Sequence, residues 1–236
     1  MKSSSSNEAL KQSVGCSAAR LLADGMVCGI GTGSTARFFI EELGRRMRDE
    51  GLRIIGVPTS FQSRILCQQV GIPLMDAQDC RGIDLAVDGA DEVDPELNVI
   101  KGGGAAHTIE KLVATMAREF VVIVDESKLV AKLGSTIAVP IEIILPALGY
   151  VTEVVTRLGG VPKLRMGVKK DGPVVTDNGH VVLDAKFDPE ADLRAVNARL
   201  RGTPGVLETG LFFDLAKKVL VGVSEGMQVQ TLTRKT

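Results

Sequence analysis

The chain has 236 residues, with 28 Lys and Arg against 29 Asp and Glu and a formal net charge of -1. That balance, with no long basic run, no Trp and only 3% aromatics, provides neither the cationic footprint nor the stacking platforms of a nucleic-acid binder. No run approaches a membrane span, and two histidines and four scattered cysteines (Cys16, Cys28, Cys67, Cys80) offer no zinc-ligand spacing, so the expectation is a cytoplasmic protein with free thiols, no zinc site, no membrane and no nucleic-acid partner.

Over residues 7–23, Leu10, Val14, Ala18, Leu21 and Leu22 recur near helical spacing, and Asp24-Gly25 ends the segment with turn chemistry. Residues 26–30 read as a buried strand. The glycine loop GTGSTA (31–36) follows, then a helix whose Phe38, Phe39, Leu43 and Met47 share a face. Strand, glycine loop and helix N-terminus suit a phosphate: tight turns aim backbone amides outward and the helix dipole adds partial positive charge. The loop also matches G-x-G-x-x-A. A dinucleotide fold, however, places an acidic residue at the end of the second strand, where this chain has Gly56-Val57-Pro58-Thr59-Ser60. Ser34 and Thr35 add hydroxyls instead, which fits a phosphate monoester.

The alternation continues with a strand over 53–57, a helix over 61–70 and a short strand at 73–75. A strand over 83–87 runs into the acidic turn VDGADEVD, and Val99-Ile100 runs into KGGG (101–104). A helix over 108–118 then buries Ile109, Leu112, Val113 and Met116, and a strand over 120–124 leads to DESK. Apolar β-branched runs bounded by Gly and Asp mark buried strands. In open α/β sheets ligands sit outside the carboxyl ends of such strands, so Asp88, Asp91, Lys101 and Glu110 are site candidates by position.

Each of these residues has more than one reading. The acidic turn suits a divalent cation, acid–base work or a solvated loop. Asp88 stands out because it directly ends a buried strand, whereas Glu92 and Asp94 read as solvated or structural. Lys101 precedes Gly102, Gly103 and Gly104, a loop without side chains against which a substrate can lie. It suits a developing oxyanion or an ion pair with the aspartates. Glu110 falls in the first turn of its helix, where the dipole favours a carboxylate facing the strand ends. Lys128 and Lys11 read as phosphate-neutralising or as ordinary surface lysines, and His107 is the weaker candidate base.

After Gly134 the order becomes β, α, β, β, α, β, a split βαβ unit with a hairpin turning at Asn178-Gly179. The expected architecture is therefore α/β, a doubly wound, mostly parallel sheet with a small inserted α+β domain. The main catalytic domain is expected over 1–133 plus 209–236 and the small one over 134–208, with the chain returning to the main sheet at 217–223.

GIGTGSTA, VPTSFQS, VDGADEVD, KGGGAA with Glu110-Lys111 four residues on, DESK, LGG, TDNGHVVLD and PGVLETGLF occur in this order between about residues 11 and 223. Together they resemble ribose-5-phosphate isomerase of the A type. The resemblance implies a Rossmann-like main domain and a ferredoxin-like small one, a homodimer or dimer of dimers, and a sugar phosphate as the ligand. The implied reaction interconverts D-ribose 5-phosphate and D-ribulose 5-phosphate in the non-oxidative pentose phosphate pathway, without metal or organic cofactor. Carried over by position, Glu110 is the base that moves a proton between carbons 2 and 1 through an enediolate. Lys101 and the amides of Gly102, Gly103 and Gly104 stabilise the enediolate oxygen. Asp88 and Asp91 handle sugar hydroxyls, Asp88 being favoured for ring opening. Thr32, Gly33, Ser34 and Thr35, with Lys128 and Lys11, bind the substrate, chiefly its phosphate. The chain departs from the family at His107-Thr108-Ile109, where Leu-Leu-Arg or Leu-Thr-Arg is common, and at Cys16, where an aromatic is common. Two rivals are weaker. A sugar-phosphate deaminase or lactonase would use a catalytic histidine in another setting, and a sugar-phosphate sensor would need a DNA-reading element.

Overall fold

The computed structural model describes residues 2–235. In chain order the elements are α1 (Lys2–Ala19), β1 (Val27–Ile30), α2 (Ser34–Glu50), β2 (Ile55–Pro58), α3 (Phe61–Val70) and β3 (Ile83–Asp88). Next come β4 (Glu92–Val93), β5 (Val99–Ile100), α4 (His107–Met116), β6 (Ala117–Asp125), β7 (Val139–Ile143), α5 (Leu148–Arg157) and β8 (Val161–Leu164). The chain continues through β9 (Val181–Lys186), α6 (Leu193–Arg201), β10 (Val206–Thr209), β11 (Leu211–Phe212), β12 (Ala216–Val223) and β13 (Gln228–Thr233). Two units result. The first takes the chain up to Ala90, Ile109–Leu129 and the chain from Asp214, and the second takes Asp91–Thr108 and Val130–Phe213.

The first unit is built on a sheet of order β13-β12-β6-β3-β1-β2, in which the five strands from β12 to β2 are parallel and β13 is an antiparallel edge. The inner strands are buried along nearly their whole length, as their Val/Ile-rich runs require when helices cover both faces. Ile30, Phe39, Leu43, Val87 and Ile123 lie in the core, each worth about 1.5–3 kcal/mol on burial. Helix ends follow the local sequence: α2 stops at Gly51 and α3 at Gly71, both left-handed, and α3 starts in a Ser60–Ser63 capping box. Helix α1 approaches α2 so closely that a Cβ on Gly15 would lie 2.7 Å from the Phe39 amide nitrogen.

Several boundaries differ from the sequence reading. Helix α1 begins before residue 7 and ends at Ala19, and the expected strand at 73–75 is a single bridge between Gly56 and Leu74. Helix α4 stops at Met116 because Ala117 and Glu119 already pair with Ile83 and Leu85. Strand β13 carried no clear sequence signal.

The second unit contains a four-stranded antiparallel sheet of order β10-β7-β9-β8 with α5 and α6, the ferredoxin-like arrangement. Ile141, Ile143, Val151, Val155 and Leu183 form its core. Its turn at Asn178-Gly179 is present, with Gly179 at φ 82° and its N–H donating to the Thr176 carbonyl at 2.9 Å. A separate three-stranded antiparallel sheet, β11-β5-β4, corrects one expectation: Val99-Ile100 ends no strand of the main sheet. A turn folds β4 back onto β5, with the Asp94 N–H on the Asn98 carbonyl at 3.0 Å, the Asn98 N–H on Asp94 Oδ1 at 2.8 Å and Leu97 at φ 60°. Leu211 and Phe212 take the other edge of β5. This pairing draws 91–108 and 211–213 into the second unit, so the observed boundaries differ from the 134 and 208 read from the sequence. No helix among the described residues is long and apolar enough to cross a membrane.

Candidate active site

In the first unit, β2, β1, β3 and β6 run parallel and end on one edge, each in polar groups. Asp88, closing β3, is 3% exposed, and its Oδ1 accepts from the N–H groups of Thr32 (3.0 Å) and Gly89 (2.7 Å). The loop after β1 passes so near that a Cβ on Gly31 would lie 2.2 Å from the Asp88 Cγ, hence the glycine. Gly33, at φ 112°, has open space around it and is needed for its backbone angle instead. Thr32 Oγ1 lies 2.9 Å from Thr59 Oγ1 and 2.6 Å from Ser60 Oγ, and Gly33 N–H donates to Gln62 Oε1 at 3.1 Å. Ser34 is exposed at the first position of α2, and Thr35 is buried.

Glu110, 5% exposed, stands in the first turn of α4 and lines one narrow crevice with Asp88, Gly31, Thr59 and Val113. Lys128, half-buried, ends a 3-10 turn that follows β6 and is capped by Asp125 through the Ser127 N–H at 3.1 Å. Lys11, also half-buried, lies three residues beyond Glu8, whose 3.1 Å ion pair with Arg37 sets this part of α1 beside the start of α2. Burial pushes the Cys28 thiol, on β1, up strongly and that of Cys67 up to about 12.

In the second unit, Lys101 is 3% exposed, its N–H donates to the Gly210 carbonyl at 2.9 Å, and its Nζ lies 5.9 Å from the centre of the Phe212 ring. Asp91 donates its own N–H to the Ile100 carbonyl at 2.8 Å, and its Oδ2 accepts from the Gly103 N–H at 2.8 Å. Gly102 holds φ 110°, and a Cβ there would lie 2.7 Å from His107 Nδ1. His107 itself is buried, with Nε2 3.3 Å from the Glu208 carbonyl. Asp91, Gly103, Arg165 and Asp184 border an open pocket of about 300 Å³.

Two buried carboxylates brace this unit. Glu92 accepts from the N–H groups of Gly134 (2.5 Å), Thr136 (2.7 Å) and Ile137 (3.0 Å), so the structural one of its two sequence readings holds and the solvated one does not. Glu142 accepts from the hydroxyls of Thr108 and Thr176 and from Asn178 Nδ2 at 3.1 Å, fixing the entrance of α4 to β7.

The first unit thus gathers Thr32, Gly33, Asp88 and Glu110, and the second gathers Asp91 with the Gly102–Gly103 peptide. Sequence reasoning passed over Thr59, Ser60 and Gln62, although PTS at the end of a neighbouring strand was a usable signal. It also passed over Arg165, which had none. Arg165 Nη1 donates to the carbonyls of Gly102 (2.7 Å) and Gly103 (3.2 Å).

A glycine loop and buried carboxylates on the carboxyl edge of a parallel sheet, with a second, antiparallel unit, define an α/β enzyme. The family model for ribose 5-phosphate isomerase A (phosphoriboisomerase A) matches residues 55–226. The ribose-5-phosphate isomerase A of Thermosynechococcus vestitus is 53% identical over 214 residues, 90% of this chain and 91% of that one. The solved ribose 5-phosphate isomerase A of Methanocaldococcus jannaschii superposes with a TM-score of 0.91 at 46% identity, covering 96% of this chain and 99% of that one. A D-ribose-5-phosphate isomerase solved in complex with phospho-erythronic acid gives 0.92 at 44% identity, covering 95% and 98%. The chain belongs to the ribose 5-phosphate isomerase A family and is an isomerase.

Proposed function

We propose that this isomerase interconverts D-ribose 5-phosphate and D-ribulose 5-phosphate by proton transfer through an enediolate, without metal or organic cofactor, in the non-oxidative pentose phosphate pathway. The observation that carries this reading is the pair of buried carboxylates, Glu110 and Asp88, lining one crevice on the edge that also bears the GTGS loop. Glu110 removes the proton from carbon 2 of the open-chain aldose and returns it to carbon 1, while one hydroxyl proton moves from oxygen 2 to oxygen 1. Lys101 and the amides of Gly102, Gly103 and Gly104 stabilise the charge that develops on the enediolate oxygen. Asp88 serves ring opening, and Asp91 serves the sugar hydroxyls. Thr32, Gly33, Ser34 and Thr35 at the start of α2, aided by Lys128 and Lys11, hold the phosphate. Binding that remote group orients a small, flexible sugar. The relative solved with phospho-erythronic acid, a phosphorylated sugar acid, supports the same ligand class here. The family resemblance further supports a cytoplasmic homodimer or dimer of dimers.

The test is turnover of ribose 5-phosphate in excess EDTA, with Glu110→Gln beside the wild type. We expect wild-type activity and a loss of about 10²- to 10⁴-fold in the variant. In D2O the product gains deuterium at carbon 1. Near-normal turnover by Glu110→Gln would displace the base. A wild type that binds ribose 5-phosphate without converting it would overturn the reaction itself.

A further inference from the structure

We propose that Arg165, braced by Asp184, is a positioning residue that sets the peptide planes of the KGGG loop. The inference rests on the isomerase reading above, because that reading gives the loop amides their task.

Three consecutive glycines have wide backbone freedom and no side chains to anchor them; one turn bond, from the Ala105 N–H to the Gly102 carbonyl at 3.0 Å, lies within the loop, and the rest of its anchoring comes from outside. The Gly102–Gly103 peptide is held at both ends: Arg165 Nη1 donates to the Gly102 carbonyl at 2.7 Å, and Asp91 Oδ2 accepts from the Gly103 N–H at 2.8 Å. In a trans peptide these two groups point opposite ways, so the two bonds together fix the plane. The next peptide is held by its carbonyl alone, 3.2 Å from the same Nη1. Its N–H, on exposed Gly104, is therefore directed away from the guanidinium.

Arg165 can serve as a bracket because it is itself immobilised. Its Nε and Nη2 take both carboxylate oxygens of Asp184, at 2.8 and 2.5 Å, and its backbone N–H donates to the Val182 carbonyl at 2.9 Å. The side chains of the pair are only 17% and 26% exposed. The fork satisfies Asp184 with two nitrogens and leaves the third for the loop, a division that a lysine ammonium does not reproduce. Asp184 neutralises the guanidinium, so Arg165 acts on the reaction through the loop rather than by its charge.

The experiment compares Arg165→Lys and Asp184→Asn with wild type in two readouts: steady-state kinetics on ribose 5-phosphate, and amide hydrogen exchange of the peptide containing residues 101–105. Both variants should lower kcat by about 10- to 100-fold, the scale of a misplaced catalytic group, with KM moving less than about threefold. Both should raise exchange in that peptide while the strands stay protected. Arg165→Ala should recover kcat with added guanidinium. Wild-type kcat or wild-type loop exchange in both variants overturns the inference. If wild type itself shows no turnover, the isomerase reading fails first, and the exchange data alone then support or refute the bracket. Arg165→Lys keeps the test standing if Arg165→Ala does not fold.

Discussion

The molecule carries two glycine loops, GTGS after β1 and KGGG after β5, and each has an aspartate on one of its amides but differs in what else holds it. The first inherits its geometry from the parallel sheet: Asp88, Thr59 and Ser60 end the adjacent strands, and their oxygens meet Thr32 because the register puts them there. The second follows a two-residue strand that imposes little, and ionised side chains secure it, Asp91 on the amide side and Arg165 on the carbonyl side. The loop at the end of the broad sheet takes one carboxylate, that of Asp88, on an amide and is otherwise held by neutral side chains. The one at the end of a minimal strand takes a charge-assisted bond on both sides of a single peptide, and such bonds are shorter and stronger than neutral ones.

Substitutions can break that contrast, and the largest effect is expected in the second loop. Lys101→Met should lower kcat by about 10²- to 10³-fold while leaving competitive inhibition by inorganic phosphate unchanged. Retained kcat would reduce Lys101 to a structural role. Within the first loop, Gly31→Ala drives a Cβ into Asp88 and should cost about 1–3 kcal/mol in urea unfolding, together with activity. Gly33→Ala meets no atoms and should cost only the backbone strain of a conformation that is essentially confined to glycine, about 1–3 kcal/mol. A Gly31→Ala cost below about 1 kcal/mol would mean that Asp88 yields easily. A smaller effect is expected at Ser34→Ala, a rise in KM of about fivefold with kcat kept, the value of one hydrogen bond. The smallest is a null result: Cys28 and Cys67, pushed up by burial, stay protonated at pH 8 and should resist iodoacetamide in folded protein. The same should hold in Arg165→Lys, and fast alkylation there would show that loosening the second loop disturbs the first unit.

What the sequence revealed follows the same division. GTGS and Asp88 were legible because strand–helix alternation alone fixes which ends of a parallel sheet are shared, and Glu110 was legible from its place in a first helical turn. Val99-Ile100 was misplaced because two residues carry no period, so nothing distinguished a strand of the main sheet from a rung of the small antiparallel one. Glu92 left two readings open because only the folded chain brings the amides of 134–137 around it. Arg165 follows Lys163 and Leu164 in an ordinary-looking segment. Its role depends on the β8–β9 register that sets it beside Asp184, and on a loop more than sixty positions away.

The chain crosses between its two units at four peptide bonds, 90–91, 108–109, 129–130 and 213–214, and α4 starts in one unit and finishes in the other. No uninterrupted stretch of coding sequence therefore specifies either unit. A recombination breakpoint anywhere from 91 to 213 divides both, so neither can be traded between proteins as a cassette.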